Sequence, residues 1–283
     1  MSNTKIEWAT KVWNPVTGCS KVSAGCKSCY AETYAKRFWG KRKFTDVQCH
    51  EDKLDQPFHW KKPQRIFVNS MSDLFHESIP FTFIDSVFEI MGFAKQHIFI
   101  ILTKRPKRMK EFYNWTHIFN HFGMMDNVWL GASVEDQKTA DERIPLLLQT
   151  PAAVRFISAE PLLERIEFFG LQPFINDPKF NKLDWVICGG ESGKGARPMN
   201  PNWVRKIRDD CKVAGVPFFF KQWGEWLHHY LCSAEIGLEL FNHTSKYKSL
   251  DISNGVYYDT YMWLGKKKAG RLLDGIEHNG FPK

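Results

Sequence analysis

The run His97-Ile98-Phe99-Ile100-Ile101-Leu102-Thr103, closed by Lys104-Arg105-Pro106, decides how this chain is read. It is too short for a helix of its own and shows no polar alternation. Its Ile and Phe content predicts a strand buried on both faces, ending where a hydroxyl and two cations leave the core. The same design recurs at Arg65–Asn69, Asn127–Ser133, Val154–Ser158, Leu183–Cys188 and Val216–Phe220. Amphipathic stretches lie between. Ile84–Lys95 has helical spacing, and Asp136–Leu148 reads as a capped helix that Pro145 ends or kinks. Pro201–Ala214 has Asn200 as N-cap, Pro201 at the first helical position and Gly215 as its stop.

Alternating strands and helices predict parallel βα units. The expectation is one α/β domain over residues 1–283. Residues 1–225 form a partial or complete parallel (βα) barrel, and 226–283, where the rhythm is lost, an irregular wrap of loops with a short terminal cap. A doubly wound open sheet is the alternative. Both architectures put function at the C-terminal ends of the strands.

Composition narrows the classes. The chain has 283 residues, 43% hydrophobic and 25% charged, which excludes a disordered or collagenous chain. No stretch approaches the roughly 20 apolar residues of a membrane span. Met1–Trp8 is polar and lacks the apolar core of a secretory signal, so the expectation is a cytoplasmic protein with no membrane association. Its seven cysteines are then metal-binding, catalytic or buried rather than a disulfide framework. Lys and Arg number 39 against 31 Asp and Glu, a net charge of +8, and 15% of residues are aromatic. A basic, aromatic-rich chain suits nucleic acid, although buried packing uses aromatics equally well.

Cys19, Cys26 and Cys29 form the most informative motif, with six residues in the first gap and two in the second. The short gap brings two thiolates to one side of a turn, and Gly18 and Gly25 permit a tight wrap. Three thiolates are one short of a closed four-cysteine site. Two readings stay open: a structural zinc site completed by Cys49, His50 or His59, and a [4Fe–4S] cluster with one iron open for a small ligand.

Trp13-Asn14-Pro15-Val16-Thr17-Gly18-Cys19 and Gly25-Cys26-Lys27-Ser28-Cys29-Tyr30-Ala31-Glu32 resemble the phage-associated three-Cys-motif proteins. These occur in bacteriophages and bacterial genomes and are similar to radical S-adenosylmethionine (SAM) enzymes. The resemblance continues at Leu102–Pro106, Ser158–Leu162, Cys188–Gly193 and Gly265–Arg271, and so spans the chain. It implies a [4Fe–4S] cluster on Cys19, Cys26 and Cys29 and an electron-donor protein. The implied chemistry is reductive cleavage of SAM to a 5′-deoxyadenosyl radical that abstracts hydrogen from substrate. The sequence departs from the usual Cys-x3-Cys-x2-Cys spacing in its longer first gap.

The strand ends are the candidate SAM site: Ser70, Asp73, Thr103, Lys104, Ser133, Glu135, Ser158, Glu160, Gly189, Gly190 and Glu191. Carboxylates suit the SAM amine or ribose hydroxyls, Lys104 or Arg105 its carboxylate, and Gly189-Gly190 a close backbone approach. Gly189–Gly195 is not a phosphate loop, because Cys188 stands at the first glycine and Gly195 follows Lys194.

Arg37, Trp39, Lys41, Arg42 and Lys43 follow the cysteine loop and are the candidate nucleic-acid residues, with further basic groups at Lys104–Lys110 and Lys266–Arg271. Cys188 is a candidate pocket residue. Cys211 and Cys232 read as inert, and His228-His229 as surface residues. The functional expectation is an iron–sulfur radical SAM-type enzyme acting on nucleic acid, DNA favoured for modification or repair, or on a nucleotide. The alternative is a non-catalytic, zinc-stapled nucleic-acid-binding module of phage origin.

Overall fold

The computed structural model describes residues 4, 6–168, 182–231, 247–253 and 257–282. Seven strands form one sheet, every neighbouring pair parallel. They are β1 (Lys11–Trp13), β4 (Arg65–Val68), β5 (Ile98–Thr103), β6 (Val128–Ser133), β7 (Val154–Ala159), β8 (Trp185–Gly189) and β9 (Phe218–Gln222), in that spatial order. A short antiparallel pair, β2 (Val16–Thr17) and β3 (Gln48–Cys49), and the helix α1 (Tyr30–Phe38) fill the connection from β1 to β4. Helices α2 (Phe81–Phe93), α3 (Pro106–Trp115), α4 (Ile118–Phe122), α5 (Gln137–Leu148) and α6 (Pro201–Ala214) occupy later connections.

Side chains alternate cleanly across the sheet, as a two-residue period demands. Ile66, Val68, Phe99, Ile101, Leu130, Ile157, Val186, Phe218 and Phe220 pack with the helices in the larger core. Phe67, Ile100, Trp129, Phe156, Trp185, Ile187 and Phe219 face the other way, in a smaller core closed by Trp8 and Phe281. Ile84, Val87 and Met91 of α2, Met109 and Phe112 of α3, Ile144 and Leu147 of α5, and Val204 and Ile207 of α6 all belong to the larger core, so these helices cover one face. Strands in sequential order with right-handed crossovers produce this arrangement. A doubly wound sheet, with helices on both faces, does not describe it. The sheet is a half-barrel, open between β1 and β9 rather than closed.

Aromatic rings plug the concave face. Trp185 contacts Trp8, Trp129, Phe156, Phe219 and Phe281, and its indole N–H donates to the Gly280 carbonyl at 2.7 Å. Gly131 makes room for this plug, since a Cβ there would stand 2.3 Å from the Phe156 ring.

The six strands read from sequence are present. The structure adds β1, whose Trp13 is fully buried. It also corrects the expectation of loops after residue 225: β10 (Trp226–His228), β11 (Tyr247–Ser253) and β12 (Tyr257–Trp263) form an antiparallel sheet ordered β10-β12-β11. The C-terminal segment then lies along β9, Phe220 N–H donating to the His278 carbonyl at 3.0 Å and Gly280 N–H to Phe218 at 2.9 Å. That segment covers an edge otherwise open to other chains.

Pro145 lies inside α5 without ending it. Its ring removes one donor, and the carbonyl left over, on Asp141, is at an exposed position where water can serve it. Asp136 caps α5 reciprocally, its carboxylate accepting from Thr139 N–H at 2.8 Å while Thr139 Oγ1 accepts from Asp136 N–H at 3.1 Å. Asp136→Ala is expected to cost about 1 kcal/mol in urea unfolding. A variant with the wild-type midpoint would mean that the cap contributes nothing.

Candidate active site

Beyond the aromatic plug, the inward-facing alternation continues as Asn69 after β4, Lys104 after β5, and Ser133 then Glu135 on and after β6. It gives Ser158 then Glu160 at β7, Gly189 then Glu191 at β8, and Lys221 on β9. A strand-by-strand change from aromatic to polar therefore marks the C-terminal mouth.

The cysteine loop lies over that mouth. Gly18 starts it with φ +98° and an N–H bond to the Met71 carbonyl at 3.0 Å, and a Cβ there would meet Asp46 O at 2.4 Å. Cys26 closes the 3-10 turn Ala24–Cys26, and Cys29 immediately precedes α1. Ser20 accepts from Arg105 at its carbonyl (3.2 Å) and its Oγ (2.9 Å), and the Oγ also lies 2.8 Å from His76 Nε2. Ser23 Oγ donates to Glu135 Oε1 at 2.8 Å, and the Ala24 carbonyl accepts from Arg197 at 3.0 Å. Gly25 is packed so closely that a Cβ would stand 2.5 Å from Glu135 Cγ. Tyr30 OH donates to the Ser70 carbonyl at 2.5 Å. One loop thus touches groups following β4, β5, β6 and β8.

Glu135 is the deepest charge at the mouth, fully buried. Its Oε1 ion-pairs with Lys104 and, at 3.3 Å, with Arg143, while Oε2 has no partner among the described residues. Two cations offset one buried carboxylate, and one of its oxygens is left without a donor among the described residues.

The other expected residues are brought to the same end but already have partners. Buried Asp73 accepts from Thr103 Oγ1 (2.7 Å) and Lys104 N–H (3.0 Å) and pairs with Arg105 at 3.2 Å. Glu160 is held by Lys221, with both oxygens at 2.9 Å. Glu191 is clamped by Arg197 through both oxygens, at 2.5 and 2.7 Å. Ser133 and Ser158 are buried, and the Ser133 carbonyl accepts from Arg143 at 2.8 Å. Gly189 lies beside Glu160. Gly190 supports the fold instead, because its N–H donates to the Gln222 carbonyl at 2.8 Å and a Cβ would strike Trp223 O at 2.0 Å.

The thiols differ. Cys19, Cys26 and Cys29 are half-buried, and Arg105 Nη1 lies 3.7 Å from Cys19 Sγ. Burial first, then the Asp73 carboxylate, pushes the Cys19 thiol up to about 11, against the lowering influence of Arg105. Cys188 is buried on the helix-covered face and does not line the mouth, which corrects the sequence expectation. Cys211 is buried on α6, its thiol pushed up to about 12 by desolvation. Cys232 lies outside the described residues. Of the possible fourth zinc ligands, Cys49 is exposed on β3, His50 Nε2 lies 2.7 Å from Thr17 Oγ1, and His59 faces Asp55. Among the described residues, no three His, Cys, Asp or Glu side chains are gathered to hold one metal ion.

The basic segment divides in two. Arg42 is a staple, donating to Thr17 Oγ1 (2.9 Å), the Thr17 carbonyl (2.9 Å) and the Asp46 carbonyl (2.7 Å), with its guanidinium 4.3 Å over the half-buried Trp39 ring. Arg37, Lys41 and Lys43 are exposed. Sequence reasoning missed Arg143 and Arg197. Nothing in the local pattern pairs them with Glu135 and Glu191, because the partners meet only once the loops after β6 and β8 are folded.

A family model described as a protein of unknown function (DUF5131) matches residues 3–282. No curated protein matches the chain. Among solved structures, a spore photoproduct lyase double mutant with bound AdoMet and dinucleoside spore photoproduct superposes with a TM-score of 0.45 at 12% identity, covering 93% of this chain and 70% of that one. A single mutant of the same enzyme gives 0.42 at 12% identity over the same shares. No described helix is long and apolar enough to cross a membrane.

Proposed function

The chain belongs to the family whose model spans it, and for this member we propose an iron–sulfur enzyme of the radical SAM kind. Its proposed substrate is nucleic acid, DNA first, in modification or repair, or a nucleotide. The observation that carries this reading is the three-thiol loop laid over the C-terminal mouth of a parallel half-barrel and fastened to buried Glu135.

The chemistry of the donor set fits a cluster: three half-buried thiols on one loop are the number that leaves one iron of a cubane open. Cys19, Cys26 and Cys29 would hold the cluster, which when bound supplies the electron for reductive cleavage of SAM. The remaining work belongs to the chain. Arg105 places a fixed cation beside Cys19, offsetting thiolate charge. The unpaired Glu135 oxygen is an acceptor suited to a SAM amine or ribose hydroxyl. The aromatic plug seals the floor against water. An electron-donor protein is a required partner of this chemistry.

Anaerobic reconstitution with ferrous iron and sulfide tests the reading. The expected result is about four irons per chain, and 5′-deoxyadenosine on adding SAM and a reductant. Stoichiometric zinc with no iron would overturn it.

The exposed cations make a second expectation. In the Lys41→Ala/Lys43→Ala variant, the slope of log K for DNA against log salt should flatten by about 0.9 per lost phosphate contact. Arg42→Ala should instead lower folding stability, because Arg42 ties Thr17 to Asp46. An unchanged slope in the double variant would remove this segment from the binding surface.

A further inference from the structure

Helix α1 is amphipathic in an inverted sense. Its small residues Ala31 and Ala35 are buried against the body, while its large rings, Tyr30, Tyr34 and Phe38, point to solvent at 59%, 51% and 57% exposure. Their i, i+4, i+8 spacing puts all three on one face. Tyr34 and Phe38 are in ring contact, with centroids 4.5 Å apart. Burying bulky side chains and exposing small ones is the usual solution for a helix of this kind, and the fold gains nothing from the reverse. The stripe also has a direction. It starts at Tyr30, beside Cys29 and hydrogen-bonded to Ser70 at the mouth, and runs outward for about 12 Å, eight residues at 1.5 Å each.

Cations flank the rings. Lys36, Arg37, Lys41 and Lys43 are exposed, and the Arg37 guanidinium lies 5.1 Å over the Phe38 ring. Within α1 the single acid, Glu32, is held by Lys21 and Lys36. Exposed rings interleaved with cations match a partner that offers flat faces and negative charge together.

We propose that the outward face of α1 is a stacking platform for single-stranded nucleic acid, delivering an unpaired segment of about three nucleotides to the mouth. Bases stack on Tyr34 and Phe38, and phosphates run along Arg37, Lys41 and Lys43. A duplex, with its base faces already stacked, meets only the cations. The inference deepens the nucleic-acid part of the proposed function, rests on it, and is independent of the cluster.

The experiment is fluorescence anisotropy with labelled oligothymidine and a labelled duplex of equal length, at fixed low salt. Tyr34→Ala/Phe38→Ala should weaken oligothymidine binding about tenfold or more and duplex binding less than about threefold. Tyr34→Phe and Phe38→Tyr, which keep the rings, should bind like wild type. So should Phe93→Ala, which removes an exposed ring on α2. Both alanine substitutions are at exposed helical sites, so a wild-type circular dichroism melt is expected. If wild type binds both probes and the double alanine variant binds them equally well, the platform is wrong and the nucleic-acid reading stands. If wild type binds neither, both are overturned. A wild-type dimer that the double variant converts to monomer would assign the stripe to a second copy of the chain and overturn the platform.

Discussion

Cys26→Ala, reconstituted anaerobically beside the wild type, is expected to lose the iron–sulfur chromophore and all SAM cleavage while unfolding at the wild-type denaturant concentration. The two halves of this result have separate causes. A cluster held by three thiolates has no spare ligand, and in the proposed site Cys19, Cys26 and Cys29 would supply all three. The fold makes little use of the same sulfur. Cys26 Sγ is half-buried, and its one described polar neighbour is Ser23 Oγ at 3.8 Å, a weak contact. Removing it should therefore change stability by less than about 1 kcal/mol. Cys49→Ala supplies the contrast. This thiol is exposed on β3, and its loss should leave iron content unchanged. Wild-type iron content in Cys26→Ala would show that the metal sits elsewhere. Iron lost from Cys49→Ala would return Cys49 to the ligand set.

Much of this arrangement is legible in the sequence because buried strands advertise themselves. Ile98–Leu102 and Trp185–Ile187 have no polar face to offer solvent, and each of the six apolar runs became a strand of the sheet. β1 escaped because it has three residues, begins with Lys11, and pairs on one side only. In the C-terminal sheet, β10 escaped because it has three residues and its partner β12 lies far along the chain, whereas β11 and β12 are neighbours in sequence. At the mouth, the two-residue period carries more than composition does. Counting back from inward-facing Gly189 places Cys188 on the helix-covered face, and the buried position agrees. Arg42 shows the opposite limit. In sequence it is one cation among several, and only the folded loop reveals that it is committed to Thr17 and Asp46. The same holds for the segment after the cysteine loop, where Trp39 reads as a nucleic-acid residue but is half-buried under Arg42, while Tyr30, Tyr34 and Phe38 are exposed.

Arg105→Ala is expected to destabilise the protein by about 3 kcal/mol and to free the cysteine loop. The side chain is 5% exposed and ties three things together: Asp73 at 3.2 Å, the exposed carboxylate of Glu77 at 2.9 Å, and Ser20 of the loop through two bonds. Glu77 contributes little, because water screens an exposed pair. Asp73 decides the magnitude. Without Arg105 it remains a buried carboxylate, and removing one partner of a buried pair costs about 3–5 kcal/mol. The bonds it keeps from Thr103, Lys104 N–H and Phe75 N–H hold the loss near the lower end. Arg105→Lys should recover part of it, since the charge returns without the fork that serves Asp73 and Ser20 together. Arg105→Ala/Asp73→Asn should be less destabilised than the sum of its single variants, because the stranded charge is gone. Loop release has its own measurement: Cys19 should react faster with a neutral thiol reagent in Arg105→Ala than in wild type at equal pH, because losing its burial, the largest cause of its raised thiol, outweighs losing the lowering influence of Arg105. A loss below about 1 kcal/mol with unchanged Cys19 reactivity would mean that Arg105 does not anchor the loop, and that its fastening to the barrel rests on Glu135, Arg197 and the bonds to the segment after β4.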